Sequence, residues 1–385
     1  METFYNGNVI TWATDLEEGA REQAQNAAAL PFVVKPVAVM ADGHRGYGCP
    51  VGSVIATEGA VVPFFAGVDL GCGMIARRLD LTSKDLPDNL DELHHLIEKA
   101  IPAGMGKGHL TPTPYSSMPV YLNGELSPEL EKTARTQLGS LGGGNHFVEL
   151  CLDELDRVWL VLHSGSRGIG NKLATQHIDI AKGIMAEIGM EIPDPDLAYL
   201  TEGSQEFTAY IRDLLFCQEW ALRNREAMMT AAHYAVAKFL GHYIVNRDQV
   251  NCHHNFTQKE THNGKSLWIT RKGAIKASTG VRAVIPGSMG AASFITSGLG
   301  NAESYESSSH GAGRRLGRKA AERVLTVEQL RESMRGKSWD ESKALQLLDE
   351  SPLAYKSIEE VMEAQKDLTK IEHKLHQILN YKGTK

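Results

Sequence analysis

Seven short segments, six of them containing glycine, gather side chains that can bind a metal or take part in covalent chemistry. Gly67-Val68-Asp69-Leu70-Gly71-Cys72-Gly73 sets a carboxylate and a thiol three positions apart, so one turn can aim both at a single cation. A mixed donor set of this kind suits a transition metal rather than calcium. Leu141-Gly142-Gly143-Gly144-Asn145-His146-Phe147-Val148-Glu149 joins three glycines, whose N–H groups can nest an anion, to an amide, an imidazole and a carboxylate. His163-Ser164-Gly165-Ser166-Arg167-Gly168 places an imidazole where a strand ends and a guanidinium suited to bidentate phosphate contact. In Asn251-Cys252-His253-His254-Asn255 the adjacent histidines of an extended segment point to opposite sides, so at most one serves as a ligand. Thr270-Arg271-Lys272-Gly273-Ala274 and Ile285-Pro286-Gly287-Ser288-Met289-Gly290 offer cations and open backbone amides to phosphate. In Ser308-Ser309-His310-Gly311-Ala312-Gly313-Arg314-Arg315 a histidine between small residues is open to a bulky partner. Imidazole can be a covalent nucleophile, and Arg314 can steady phosphate charge.

Taken singly, each segment also fits an ordinary polar turn. Taken together, they put Asp, Cys and several His into loops along one chain, and one shared metal centre accounts for them all. The ligand types on their own suit zinc or cobalt.

These loops need rigid supports. Val37–Met40, Val158–Leu162, Leu267–Ile269 and Ala283–Ile285 are short apolar runs, rich in β-branched residues, that stop at glycine-containing turns, the pattern of strands delivering functional loops. Residues 204–240 contain neither Gly nor Pro and read as a long helix or a helical pair. Thr326-x-x-Gln329 and Ser357-x-x-Glu360 have the form of capping boxes. The expected fold is α+β: mixed β-sheets deliver the Gly-rich loops and helices flank them. No linker or repeat divides the chain, which reads as one domain over 1–385, with a helical insertion at about 204–243 and a helical C-terminal part at about 317–380.

Composition narrows the classes. Hydrophobic residues make up 42% and charged residues 23% of 385, as in globular proteins. There is no apolar run of about 18 residues and no basic-then-apolar leader, so neither a membrane span nor a secretory signal is expected, and the cytoplasm is the default location. The net charge of −7 argues against indiscriminate binding to polyanions, although a local basic site or a metal can still meet phosphates. Five cysteines, an odd number with no C-x-x-C pair, speak against a disulfide framework or a structural zinc finger.

The segments Asp42-Gly43-His44-Arg45-Gly46-Tyr47-Gly48, GVDLGCGM, LGGGNHF, HSGSRG, CHHN, RKGA, IPGSMG and SSHGAGR, in this order from about residue 37 to 318, resemble the RtcB-type RNA ligases. Trp220-Ala221-x-x-Asn224-Arg225, Pro352-x-Ala354-Tyr355-Lys356 and Tyr381-Lys382-Gly383 extend the resemblance over nearly the whole chain. It implies a GTP- and manganese-dependent enzyme that joins RNA ends carrying a 2′,3′-cyclic phosphate or 3′-phosphate to 5′-hydroxyl ends, in tRNA splicing or RNA repair. The implied route runs through a His–GMP intermediate and an activated RNA–ppG end. By motif, Cys72 would bridge two manganese ions, with Asp69 and His146 on one and His163 and His254 on the other. His310 would carry the guanylate, and Asn145, Glu149, Asn255, Ser288, Gly311, Ala312, Gly313, Tyr355 and Lys382 would contact it or lie beside it. Arg45, Arg167 and Arg314 are candidates for RNA phosphate contacts. A manganese phosphoesterase on the same ligands would need neither His310 nor Lys382, and an RNA-binding protein with a relic site would have broken ligands. Two departures stand out: Thr384-Lys385 extend past the glycine at which the family often stops, and residues 102–135 fit no family motif.

Overall fold

A computed structural model describes residues 1–114, 116, 118 and 126–384. Part of the unmatched 102–135 stretch, and Lys385, therefore lie outside the described residues.

Two large sheets carry the fold. A seven-stranded antiparallel sheet runs in the spatial order Asn246–His253, Gly73–Thr82, Arg157–Ser164, Phe147–Leu152, Thr369–Lys382, Ser293–Gly298, Arg282–Pro286. A six-stranded sheet runs Glu2–Phe4, Val9–Thr11, Val33–His44, Val51–Thr57, Lys265–Lys272, Asn255–His262. It is mixed, because Val9–Thr11 pairs in parallel with Val33–His44. Strands and helices together make the architecture α+β.

The apolar run Val158–Leu162 is explained by burial of both faces of its strand. Leu160 and Leu162 face a cluster with Met228, Met229 and Leu93 of the helices, while Trp159 and Val161 face one with Val250, Val284 and Leu375. Residues 205–240 form one helix, Gln205–Leu240. Ser204 caps it by accepting the Phe207 N–H, and Gly241 ends it in the left-handed conformation at φ +76°. At 36 residues it spans about 54 Å.

The C-terminal part departs from the helical expectation. Helices Arg318–Val324, Val327–Ser333 and Ile358–Ala364 are present, and Thr326 and Gln329 form a reciprocal capping box. Thr369–Lys382, however, is a strand inside the seven-stranded sheet. Ile371, Leu375 and Leu379 recur every four residues, which imitates a helix. A regular strand would keep residues four apart on one face, but the register shift between Gln377 and Leu379 turns Leu379 into a different core cluster from Leu375. Among the described residues, no helix is long and apolar enough to cross a membrane.

Candidate active site

The ends of both sheets converge on one cavity of about 460 Å³, within the range of small-molecule sites. Asp69, His163, His254 and His310 line it, together with Asn145, Asn255, Ser288, Gly311, Ala312, Gly313, Tyr355 and Lys382.

Cys72 sits beneath this wall. Its Sγ lies 3.4 Å from His146 Nε2 and 3.3 Å from His163 Nε2. His146 Nε2 is 3.1 Å from Asp69 Oδ2, and His163 Nε2 is 2.8 Å from His254 Nε2. The donors form two triads, Asp69/Cys72/His146 and Cys72/His163/His254, which share Cys72. His163 Nδ1 lies 3.0 Å from the Asn145 carbonyl and His254 Nδ1 3.4 Å from Asn255 Oδ1. Both partners only accept, so the Nδ1 atoms carry the protons and the two Nε2 lone pairs face each other. Burial, reinforced by neighbouring histidines, holds both imidazoles well below the ordinary pKa, so no extra proton relieves that opposition. Burial and the neighbouring Asp69 push the Cys72 thiol well up, so only a strong local cation would hold it as thiolate. Bare lone pairs around a buried sulfur fit a divalent transition metal.

Close packing fixes these ligands. A Cβ on Gly165 would come within 2.1 Å of Asp69 Oδ1, and one on Gly142 within 2.0 Å of His146 Nδ1. Asn224 and Arg225, fully buried on the long helix, tie the loops together. Arg225 donates to the carbonyls of Gly71 (2.9 Å) and Ser164 (3.2 Å) and to Asn251 Oδ1 (2.9 Å). Asn224 accepts from Gly139 N–H (2.7 Å) and donates to the Gly165 carbonyl (3.2 Å). His253 points away from the cavity, its Nδ1 2.8 Å from the Gly71 carbonyl, while His254 faces in.

Across the cavity, His310 Nδ1 lies 2.7 Å from Asp42 Oδ2, an ion-pair approach rather than an aligned hydrogen bond. The same oxygen accepts the backbone N–H groups of His310 and Gly311, each at 3.2 Å. Burial alone would raise the Asp42 carboxyl, but His310 and these amides outweigh it and hold the group below its ordinary range. This leaves Nε2 as the uncommitted ring nitrogen of His310. The His310 ring centroid is 4.7 Å from that of His254, so the nucleophile candidate stands beside the ligand cluster.

Glu350 organises another part of the wall. It receives the Tyr355 hydroxyl (2.7 Å), and Lys382 Nζ (3.4 Å) and Arg314 Nη1 (3.5 Å) stand beside it along with Arg318. Burial would raise its carboxyl, but this surrounding charge pulls it down to about 2. Glu149 is absent from the cavity lining: it is buried, accepts from Asn380 Nδ2 at 2.7 Å, and burial pushes it up to about 8.

The three arginine candidates diverge. Arg45 is exposed on an adjoining groove. Arg167 donates to the carbonyls of Gly104 (2.8 Å) and Lys107 (3.2 Å). Arg314 donates to the Leu316 carbonyl (3.1 Å) and the Tyr355 hydroxyl (2.9 Å). Sequence reasoning gave no role to Asp42, Asn224, Arg225, Arg318 or Glu350. Asp42 carried the same signal as Asp69, a carboxylate beside a glycine at a strand end. Asn224 and Arg225 stood in a family-like motif without an assigned role, and Arg318 and Glu350 are marked out only by their contacts in the folded chain.

The family model described as tRNA-splicing ligase RtcB matches residues 23–122 and 114–383. The RNA-splicing ligase RtcB of Escherichia coli K12 is 42% identical over 405 residues, covering 99% of this chain and 98% of that protein. The tRNA-splicing ligase RtcB of Pyrobaculum aerophilum is 30% identical over 417 residues, covering 89% and 86%. The RNA-splicing ligase RtcB of Mycobacterium tuberculosis is 28% identical over 416 residues, covering 89% and 95%. With so much of its length matched, and with the cavity built from the matched motifs, this chain belongs to the RtcB family.

Proposed function

We propose that this protein is an RNA ligase that joins a 2′,3′-cyclic phosphate or 3′-phosphate end to a 5′-hydroxyl end, using GTP, with His310 as the guanylyl acceptor. One observation carries the reading. His310 has its Nδ1 against buried Asp42 and its ring beside His254, within a nucleotide-sized cavity. A phosphoesterase on the same ligands has no use for that arrangement.

Asp42 stabilises the imidazolium that develops at His310 and keeps the attacking lone pair on Nε2. Nε2 bonds to the α-phosphorus of GTP, the bond to the bridging oxygen breaks, and pyrophosphate leaves. A cyclic RNA end is first opened to the 3′-phosphate. A 3′-phosphate oxygen then displaces His310 from the guanylyl phosphorus, giving the RNA–ppG end. The 5′-hydroxyl attacks the RNA 3′-phosphorus and GMP leaves.

Asn145, Asn255, Ser288, Gly311, Ala312, Gly313, Tyr355 and Lys382 hold the guanylate, with Glu149 close enough to feel the Lys382 charge. Two manganese ions would be held by Cys72 between Asp69/His146 and His163/His254. Bound there, they would supply charge neutralisation at the reacting phosphates. The work is tRNA splicing or RNA repair in the cytoplasm, carried by residues 1–385 as one catalytic unit.

The test is incubation with GTP labelled at the α-phosphate, with and without manganese, beside His310→Ala. Acid-labile label on the wild type alone, dependent on manganese, is the expected result. A folded, metal-loaded wild type that takes no label would overturn the GTP-dependent reading in favour of the phosphoesterase.

A further inference from the structure

A second groove adjoins the nucleotide cavity and shares His44, Tyr47, Arg314 and Arg318 with it, so the two are continuous. Its cations are of two kinds. Arg314 and Arg318 are committed to Glu350 and its neighbour Asp349. Arg45 and Arg315 are exposed, and among the described residues neither guanidinium has a hydrogen-bond or ion-pair partner.

The carboxylates of the groove each have a donor of their own. Glu17 accepts the Arg45 backbone N–H at 2.8 Å, Asp196 pairs with Lys182 at 2.6 Å, and Asp194 accepts the Asp196 N–H at 2.9 Å. At the lip between cavity and groove stands Tyr47, 75% exposed. Its carbonyl accepts from Lys272 Nζ and its ring centroid is 6.2 Å from that of Phe64, so the residue is anchored while the ring remains open to solvent. An anchored, solvent-facing aromatic that shares a groove with two unpaired guanidinium groups, the groove opening into a nucleotide-sized cavity, is the arrangement that grips single-stranded nucleic acid. Bases stack on the ring and phosphates pair with the cations.

We propose that this groove holds the single-stranded RNA leading away from the reacting end, with a base stacked on Tyr47 and backbone phosphates paired to Arg45 and Arg315. The proposal rests on the RNA-ligase reading. Either reacting strand has this chemistry, and the experiment separates them.

Binding of two short single-stranded RNAs to the full-length protein is measured by fluorescence anisotropy without GTP, across a salt series. One RNA carries a 3′-phosphate and a blocked 5′ end; the other carries a 5′-hydroxyl and a blocked 3′ end. The proteins are wild type, Tyr47→Ala, Tyr47→Phe, the double variant Arg45→Ala/Arg315→Ala, and Arg335→Ala as an exposed cation elsewhere. Melting temperatures establish that each is folded.

For one of the two RNAs, Tyr47→Ala should weaken binding about tenfold at unchanged salt dependence, and Tyr47→Phe should restore it. The double arginine variant should weaken the same RNA and lower the slope of log affinity against log salt by about 1.4, about 0.7 for each of two phosphates. The RNA that responds is the strand in the groove. Wild-type affinity and slope in folded variants, or an equal loss in Arg335→Ala, would overturn the groove. If the wild type takes no label from GTP in the guanylylation assay, the ligase reading itself fails and the groove proposal goes with it.

Discussion

His163 and His254 meet nitrogen to nitrogen at 2.8 Å, whereas Glu350, in the same cavity, is surrounded by Lys382, Arg314, Arg318 and the Tyr355 hydroxyl. Both regions are buried and polar. The first is a set of lone-pair donors, held by neutral hydrogen bonds and the Arg225 clamp. The second is electrically closed within the protein itself. A buried charge is tolerable only when paired, so the Glu350 network can exist as it stands, while the His/Cys/Asp cluster is built for a partner from outside. His310 and Asp42 lie between these regimes as a single pair around a buried carboxylate.

If the comparison holds, damage to one region should leave the other's signature intact. The largest effect is expected for Cys72→Ala, since Cys72 belongs to both donor triads. Manganese binding, measured by titration calorimetry or metal analysis after gel filtration, should weaken more than about 100-fold, and the GTP label should vanish. Retention of two tightly bound ions would break the comparison outright.

Asp42→Asn comes next. The amide keeps the shape and can still accept from the backbone, but it cannot stabilise positive charge on His310. The rate of label incorporation should fall by on the order of 10²–10⁴ with manganese binding unchanged. A parallel loss of metal would show that the nucleophile and the ligand cluster are not separable.

The smallest effect is one of stability. The Glu350 carboxyl is held at about 2, below its ordinary 4.5. A carboxyl depressed on folding contributes stability that is fully present above its unfolded value and is lost as pH falls through its folded value. The window is therefore roughly pH 4.5 to 2. Glu350→Gln should lower the Tm by several degrees at pH 7, roughly the effect of a lost buried pair in a chain of this size. It should also flatten the fall in Tm on acidification relative to wild type, leaving manganese affinity unchanged. An acid limb as steep as that of the wild type would place the charge compensation elsewhere.

How much of this was legible in the sequence follows from how local each feature is. Asp69, Cys72, His146 and His163 stand out because each sits in or beside a glycine-containing turn at a strand end, and His254 because it directly follows a strand in a polar Cys-His-His-Asn run. The split between His253 and His254 follows from strand alternation alone. Asp42 and His310 meet across 268 residues, a pairing that only the completed topology creates. Asn224 and Arg225 read as ordinary polar positions of a helix until the loops close over them. Arg167 and Arg314 look like open phosphate ligands because nothing in a sequence tells whether a guanidinium faces solvent or a carbonyl. The last strand was hidden by apolar residues at helical spacing.

That strand also sets an order of events. Thr369–Lys382 lies between Phe147–Leu152 and Ser293–Gly298, and among the described residues it supplies the backbone pairing that joins the hairpin of residues 282–298 to the rest of the seven-stranded sheet, beside side-chain contacts such as Arg282 with Asp248. When the first 368 residues have been made, every member of the His/Cys/Asp cluster and His310 has been synthesised, yet the strand that pairs the two parts of the sheet is absent and Lys382 is missing from the wall. A nascent chain therefore carries the cluster and His310 before the strand beneath them and Lys382 are in place.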